Sequence, residues 1–322
     1  MRSAEKRAAK GHDFRLPSPR FSDILYPLNF GKAGIPVKNT IENLLRRHPL
    51  LRFAADGLDV YFSKNVGRAA AELAYFLILT FFPIMICVYA FLDRMDLDLL
   101  TLLGQADLFL PEGVLAIFRD YLTYIDTNQS AAMLISGGVL TILFASAAMR
   151  GLMNMMGELY GRAPFRGLLQ LVVSVLFSVL LLVTIYVSLA VVVTGNWFFR
   201  LLGQTLGLED LADRFGVWQS LKYVLLLSLV FLFILLLYRF AAPPGKPRPP
   251  VVPGALGAAA ALAGASAVFS FLMSNSTRYP LVYGSLASVI IMLVWLYLCG
   301  NVLILGNVVN YVLFTRRREG RQ

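Results

Sequence analysis

The sequence predicts an all-α, polytopic membrane protein with six transmembrane helices and amphipathic helices outside the membrane. Three observations carry this expectation. Hydrophobic residues make up 58% of the 322, charged residues only 15%, and mean hydropathy is +0.68, whereas roughly a quarter of a soluble domain is charged. Six apolar runs, at 69–92, 131–149, 168–194, 219–238, 254–273 and 284–312, approach or exceed the ~20 helical residues that cross a hydrocarbon layer of ~30 Å. Basic residues crowd alternate connections: the arm before the first run, the hinge at 150–167, the linker at 239–250 and the tail together hold 23, and the other three loops hold 5. The positive-inside rule then places both termini in the cytoplasm. The formal net charge of +10 follows from topology, and nucleic acid is not expected as a partner.

Residues 1–68 form a basic cytoplasmic arm with thirteen Lys or Arg against six acids. Prolines and glycines interrupt it, and Asn39 and Glu42 resemble a capping box opening a short helix on the anionic membrane surface. Residues 69–314 form the six-helix domain and 315–322 a basic cytoplasmic tail. In the first run Pro83 removes a backbone donor in mid-helix and predicts a kink. Glu72, in about the first turn, is the only acid inside the six runs. The connection at 93–130 carries seven acids and two arginines. Pro111 and Glu112 open an amphipathic helix there, with Val114, Ile117, Phe118, Tyr121 and Ile125 on one face.

After the second run comes a polar hinge in which Arg150, Asn154 and Glu158 recur every four residues, so one helix face carries a polar row. The third run has Gln170, Ser174, Ser178, Thr184 and Ser188 within about a third of its circumference, which marks its inward side. A proline-dense linker follows the fourth run. The fifth run pairs Gly254 with Ala258 and Ala260 with Gly264, small-xxx-small spacings that admit a close neighbour. The sixth run holds Asn301, Asn307 and Asn310. Hydrocarbon penalises their amides unless other helices answer them, so this helix belongs inside the bundle.

Several chemistries lack their residues. The two histidines, His12 and His48, lie in the arm; no HExxH pattern or Cys/His cluster offers a metal site, and no GxxxxGK[ST] loop offers a nucleotide site. Serines in the runs have no histidine for a triad. The two cysteines, Cys87 and Cys299, lie in apolar runs and predict no disulfide framework. No cofactor, no metal and no catalysis are expected.

Three stretches then resemble one family, the YihY/BrkB membrane proteins, some of which carry a ribonuclease BN label. They are Glu72-Leu-Ala-Tyr-Phe-Leu-Ile-Leu-Thr-Phe-Phe-Pro83; Tyr238-Arg-Phe-Ala with Pro253-Gly-Ala255 across the linker; and Tyr283-Gly-Ser-Leu-Ala-Ser-Val-Ile with Leu293-Val-Trp-Leu-Tyr297 and Gly306 to Asn310. The family's Gly-Ala-Glu-x-Asn pattern meets Val308 where its glutamate stands, so a role resting on that acid does not carry over. The resemblance implies six transmembrane helices in a bacterial inner (plasma) membrane and a role such as movement of envelope lipids.

The sequence thus points to a transporter that moves or accommodates a lipid or other amphiphile, with membrane lipids as partners. Its candidate pathway residues are Glu72, Arg150, Asn154, Glu158, Ser174, Ser178, Ser188, Asn301, Asn307 and Asn310; Pro83, Gly254, Gly264 and Gly284 are candidate hinge or structural positions. The alternative is a non-transporting scaffold that binds envelope-assembly proteins, and a ribonuclease is the remote third.

Overall fold

The computed structural model describes residues 49–93, 112–127, 130–161, 167–206, 217–242, 248–274 and 287–319. Among them lie eight helices: α1 (Pro49–Ser63), α2 (Val66–Asp93), α3 (Glu112–Thr127), α4 (Ala131–Leu159), α5 (Leu168–Leu206), α6 (Val217–Ala241), α7 (Val252–Ser274) and α8 (Ala287–Glu319). The chain divides into two units, Met1–Asp59 and Val60–Gln322. Of the first, only the opening of α1 is described; the expected capping box at Asn39 and Glu42, like Gly284, lies outside the described residues. The rest of the structure belongs to the second unit.

Six helices are long and apolar enough to cross a membrane: α2, α4, α5, α6, α7 and α8. The protein is therefore an all-helical, multi-pass membrane protein. Three helices run well past the ends of their apolar runs, among them α5, which continues to Leu206. α4 does not break at the polar stretch beginning at Arg150 but continues to Leu159, because Leu152, Met153, Met155, Met156 and Leu159 are all buried. The polar residues between them ride on the outer side of a helix whose inner side is core. α8 runs on through Arg316, Arg317 and Arg318, cations that suit the negative end of the helix dipole.

Pro83 sits inside α2 and is buried. The residues after it, Ile84, Met85, Ile86 and Val88, join Leu122 and Ile125 of α3 in one apolar cluster, flanked by Met133 and Leu134 of α4 and Leu182, Ile185 and Tyr186 of α5. The Phe82 and Tyr121 rings meet edge-on at 5.1 Å, which seats the amphipathic α3 on α2. The α2–α4 contact is close because Gly137 lacks a side chain: a Cβ there would lie 3.0 Å from Ile86 Cγ2. Beside it the Thr141 hydroxyl donates to the Gly137 carbonyl at 2.7 Å, so the buried oxygen is satisfied within its own helix.

α8 packs on α2, α3 and α7, while α5 packs chiefly on α4 and α6. In α7 the two small-residue pairs have different fates. Gly254 and Ala258 are buried against α8, but Ala260 and Gly264 face outward, and a Cβ at Gly264 would meet no described atom within 4 Å. Replacing Gly264 with alanine is accordingly expected to leave thermal stability within about 1 kcal/mol of wild type, or to raise it slightly through the better helix propensity of alanine; a melting curve of the purified variant in detergent checks this.

Candidate functional site

Two groups of polar residues each draw several helices together. The first is an interior clasp where the start of α7 and the ends of α4 and α6 meet α8. A helix start leaves backbone N–H groups without intrahelical partners, and in α7 Pro253 has no N–H to satisfy. The Gly254 N–H donates to Asn310 Oδ1 at 2.7 Å, and Asn310 Nδ2 donates to the Val251 carbonyl at 3.2 Å. Asn310, fully buried, therefore caps α7 from a different helix. Two turns earlier along α8 the Tyr238 hydroxyl donates to the Leu303 carbonyl at 2.5 Å. The Tyr160 hydroxyl donates to Asn307 Oδ1 at 3.2 Å, and its ring meets Tyr311 edge-on. Burial, with Tyr311 adding to it, pushes the Tyr160 phenol above its ordinary value, so it stays a neutral donor. Asn307 Nδ2 is buried without a partner among the described residues. Swapping the amide's oxygen and nitrogen only moves the orphan to the other atom.

Higher along α8, Asn301 Oδ1 accepts from the Tyr61 hydroxyl at 2.9 Å, and Asn301 Nδ2 donates to its own helix at Tyr297. Gly67 and Gly300 permit this crossing of α2 and α8: a Cβ at Gly300 would lie 3.1 Å from the Ala70 carbonyl.

The third-span serines belong to neither arrangement. Ser174 and Ser178 are completely buried, and their hydroxyls donate to the carbonyls of Gln170 and Val175 in their own helix; Ser188 is half-buried. Since α5 packs on α4 and α6, the serine stripe and the α8 asparagines do not line one wall.

The second arrangement is an outward-facing polar strip. The first half of α4 presents Ile135, Val139, Leu140 and Leu143 outward, between 41% and 70% exposed, as a lipid-facing surface does. Continuing along that side at steps of three or four come Arg150, Asn154 and Glu158; Arg150 and Asn154 are half-buried and Glu158 exposed. On one flank Glu72 of α2, itself exposed, sets its carboxylate against the α4 backbone, with Oε1 3.2 Å from where a Cβ of Gly151 would stand. On the other flank Gln170 of α5 donates to Asn154 Oδ1 at 2.5 Å. The row is polar but not ion-paired: among the described residues Glu72, Arg150 and Glu158 form no ion pair. Arg150 and Glu158 are two turns apart, about 12 Å along the axis at 1.5 Å per residue. All three lie within helices that qualify as membrane spans.

Sequence periodicity alone groups Arg150, Asn154 and Glu158. The sequence reading sets Glu72 with them among the pathway residues but does not place it beside Gly151, and it misses Tyr61, Tyr160 and Tyr238 as partners of the α8 polar groups. The available signal is that a tyrosine in an apolar helix needs somewhere to put its hydroxyl.

Comparison with known proteins bears on the whole assembly. The family model described as Virulence factor BrkB matches residues 58–322. The chain belongs to the BrkB family. The matched region takes in all six spans and both polar arrangements, and the resemblance seen in the short motifs is thereby established. The ribonuclease-like protein YfkH of Bacillus subtilis is 27% identical over 251 residues, covering 77% of this chain and 90% of that protein. A UPF0761 membrane protein of Acinetobacter baylyi is 48% identical over 46 residues, 14% of this chain and 11% of that protein. No solved structure matches the chain. This BrkB-family protein keeps the clasp and the strip at different depths in the bundle, the clasp inside and the strip outside.

Proposed function

We propose that this BrkB-family protein moves, or holds for transfer, a lipid or another amphiphile, and that the polar strip is where the headgroup enters from the side. The observation that carries the reading is the set of outward-facing charges, Glu72, Arg150 and Glu158, on membrane-length helices without an ion pair among the described residues. Ionisable groups at such positions are costly and ordinarily serve a pathway or ligand. Apolar tails would lie along Leu140 and Leu143 of α4 and Leu171 and Val172 of α5, all exposed, while the headgroup stays on the strip. The interior clasp suits this division, since its hydrogen bonds hold α7 and α8 together and leave little polar surface to offer a substrate.

In the same reading the membrane is a bacterial plasma membrane with both termini cytoplasmic, supported by the uneven placement of basic residues. The chain acts without catalysis. The ribonuclease-like name of the Bacillus relative belongs to that protein; here, among the described residues, no three His, Cys, Asp or Glu side chains gather where they would hold a metal ion.

The test is leaflet exchange in proteoliposomes. Wild-type protein is expected to speed the loss of inner-leaflet fluorescent lipid to an external quencher well above protein-free vesicles. Replacing Arg150 and Glu158 together with glutamine is expected to lower that rate at least tenfold while the protein elutes unchanged on gel filtration. Folded wild-type protein that gives no exchange for any amphiphile overturns the proposal.

A further inference from the structure

We propose that the strip selects amphiphiles whose headgroup carries an ammonium beside its phosphate, the ammonium lodging against Glu72 and Tyr75 and the phosphate against Arg150. The inference rests on the strip being a headgroup site and goes on to name the headgroup.

The local chemistry is asymmetric. Glu72 and Tyr75 are three residues apart on α2, hence on one face; both are exposed, Tyr75 at 56%. A carboxylate and an exposed aromatic ring on the same helix face offer a cation two attractions, the charge and the ring's electron-rich face. Arg150 follows within one residue of the Gly151 backbone on which the Glu72 carboxylate rests, and its planar fork of donors matches phosphate oxygens. Neither charge is used up by the other, because the two form no ion pair among the described residues. A zwitterion with adjacent ammonium and phosphate answers both. A headgroup bearing only phosphate and hydroxyls would satisfy Arg150 but leave Glu72 facing negative charge. Gly151 leaves room for the carboxylate: a Cβ there would stand 3.2 Å from Glu72 Oε1, which would have to give by a few tenths of an ångström.

Binding is measured on the purified full-length chain in detergent by native mass spectrometry, with phosphatidylethanolamine and phosphatidylglycerol of identical acyl chains offered together. Wild type is expected to retain the ethanolamine lipid at least fivefold over the glycerol lipid. Glu72→Gln is expected to equalise the two, Glu72→Asp to restore part of the preference, and Arg150→Gln to weaken both. The lipid side supplies a test needing no variant: acylating the ethanolamine nitrogen removes the cation and is expected to abolish the preference. Soluble glycerophosphoethanolamine separates a lipid site from a site for a small zwitterion; millimolar competitor that displaces the lipid would overturn the lipid assignment. Equal retention of both lipids by wild type, or a preference that survives acylation of the amine, overturns the inference. Because binding is read without transport, lipid exchange with no headgroup preference would sink this inference and leave the proposed function standing. Selective binding with no exchange would do the reverse.

Discussion

Valine at Gly254 or at Gly306 is expected to leave little folded protein, with the thermal midpoint in detergent lowered by more than ten degrees, or no monodisperse peak at all. An ideal Cβ on Gly254 would collide with the Gly306 carbonyl oxygen and lie 2.5 Å from Asn310 Cγ and Nδ2. A Cβ on Gly306 would collide with the Tyr238 hydroxyl and stand 2.7 Å from Ala258 Cβ and 2.9 Å from the Gly254 carbonyl. Part of what blocks the way is helix backbone, which cannot swing aside as a long side chain does. α7 must therefore retreat from α8, and the retreat breaks the Gly254–Asn310 and Val251–Asn310 hydrogen bonds together; at Gly306 the added side chain also displaces the Tyr238 hydroxyl of α6 from the Leu303 carbonyl. Overpacking alone costs about 1–3 kcal/mol, and each interhelical hydrogen bond in a membrane adds about 0.6–1.7 kcal/mol. The effects compound because the contacts share one interface. A Gly254→Val protein that melts with wild type would show that α7 does not dock on α8 in this register.

Asn310→Leu is expected to destabilise the bundle by about 2 kcal/mol, while Asn307→Leu changes it by about 1 kcal/mol or less. The two amides lie three residues apart and both are buried, so burial does not distinguish them. Their partners do. Removing Asn310 strips two hydrogen bonds and leaves the Gly254 N–H, an orphan donor at the start of α7, facing an apolar side chain; a buried unsatisfied group costs about 1–3 kcal/mol. Removing Asn307 loses the Tyr160 bond but also removes a buried nitrogen that had no partner among the described residues, and the two effects oppose each other. Unfolding of both variants in mixed micelles of rising denaturing-detergent fraction measures the order. Equal losses would mean that Asn310 does not cap α7.

These expectations use partners that the sequence names only in part. The run of Asn301, Asn307 and Asn310 is legible as a helix that faces protein, because amides in hydrocarbon must be answered, and all three are indeed buried. Which groups answer them is not legible. Tyr61 is 240 residues from Asn301, and Tyr160 is 147 from Asn307. Likewise the small-xxx-small spacings of α7 look alike on paper. Gly254 is pressed against α8 and Gly264 faces outward, a difference that depends on how α7 is rotated and tilted. The serine stripe correctly marks a buried face at Ser174 and Ser178, yet its hydroxyls turn back to their own carbonyls, as local donors do when an acceptor is one turn away.

By itself the sequence determined that the chain is an all-α membrane protein with six spans, and that α3 is an amphipathic helix packed by one face. Hydropathy, run length and helical period are local quantities, and a bilayer converts them directly into spans because it forces every backbone group to be satisfied within its own helix. Only the tertiary structure decided that Asn310 caps a neighbouring helix, that Gly254 and Gly306 are the point of closest approach, and that Glu72 lies beside Gly151 to complete an outward strip with Arg150, Asn154 and Glu158. Those pairings depend on the depth and rotation of each helix against the next. Both are set by the fit of small residues and tyrosines far apart in the chain, and no local period encodes that fit.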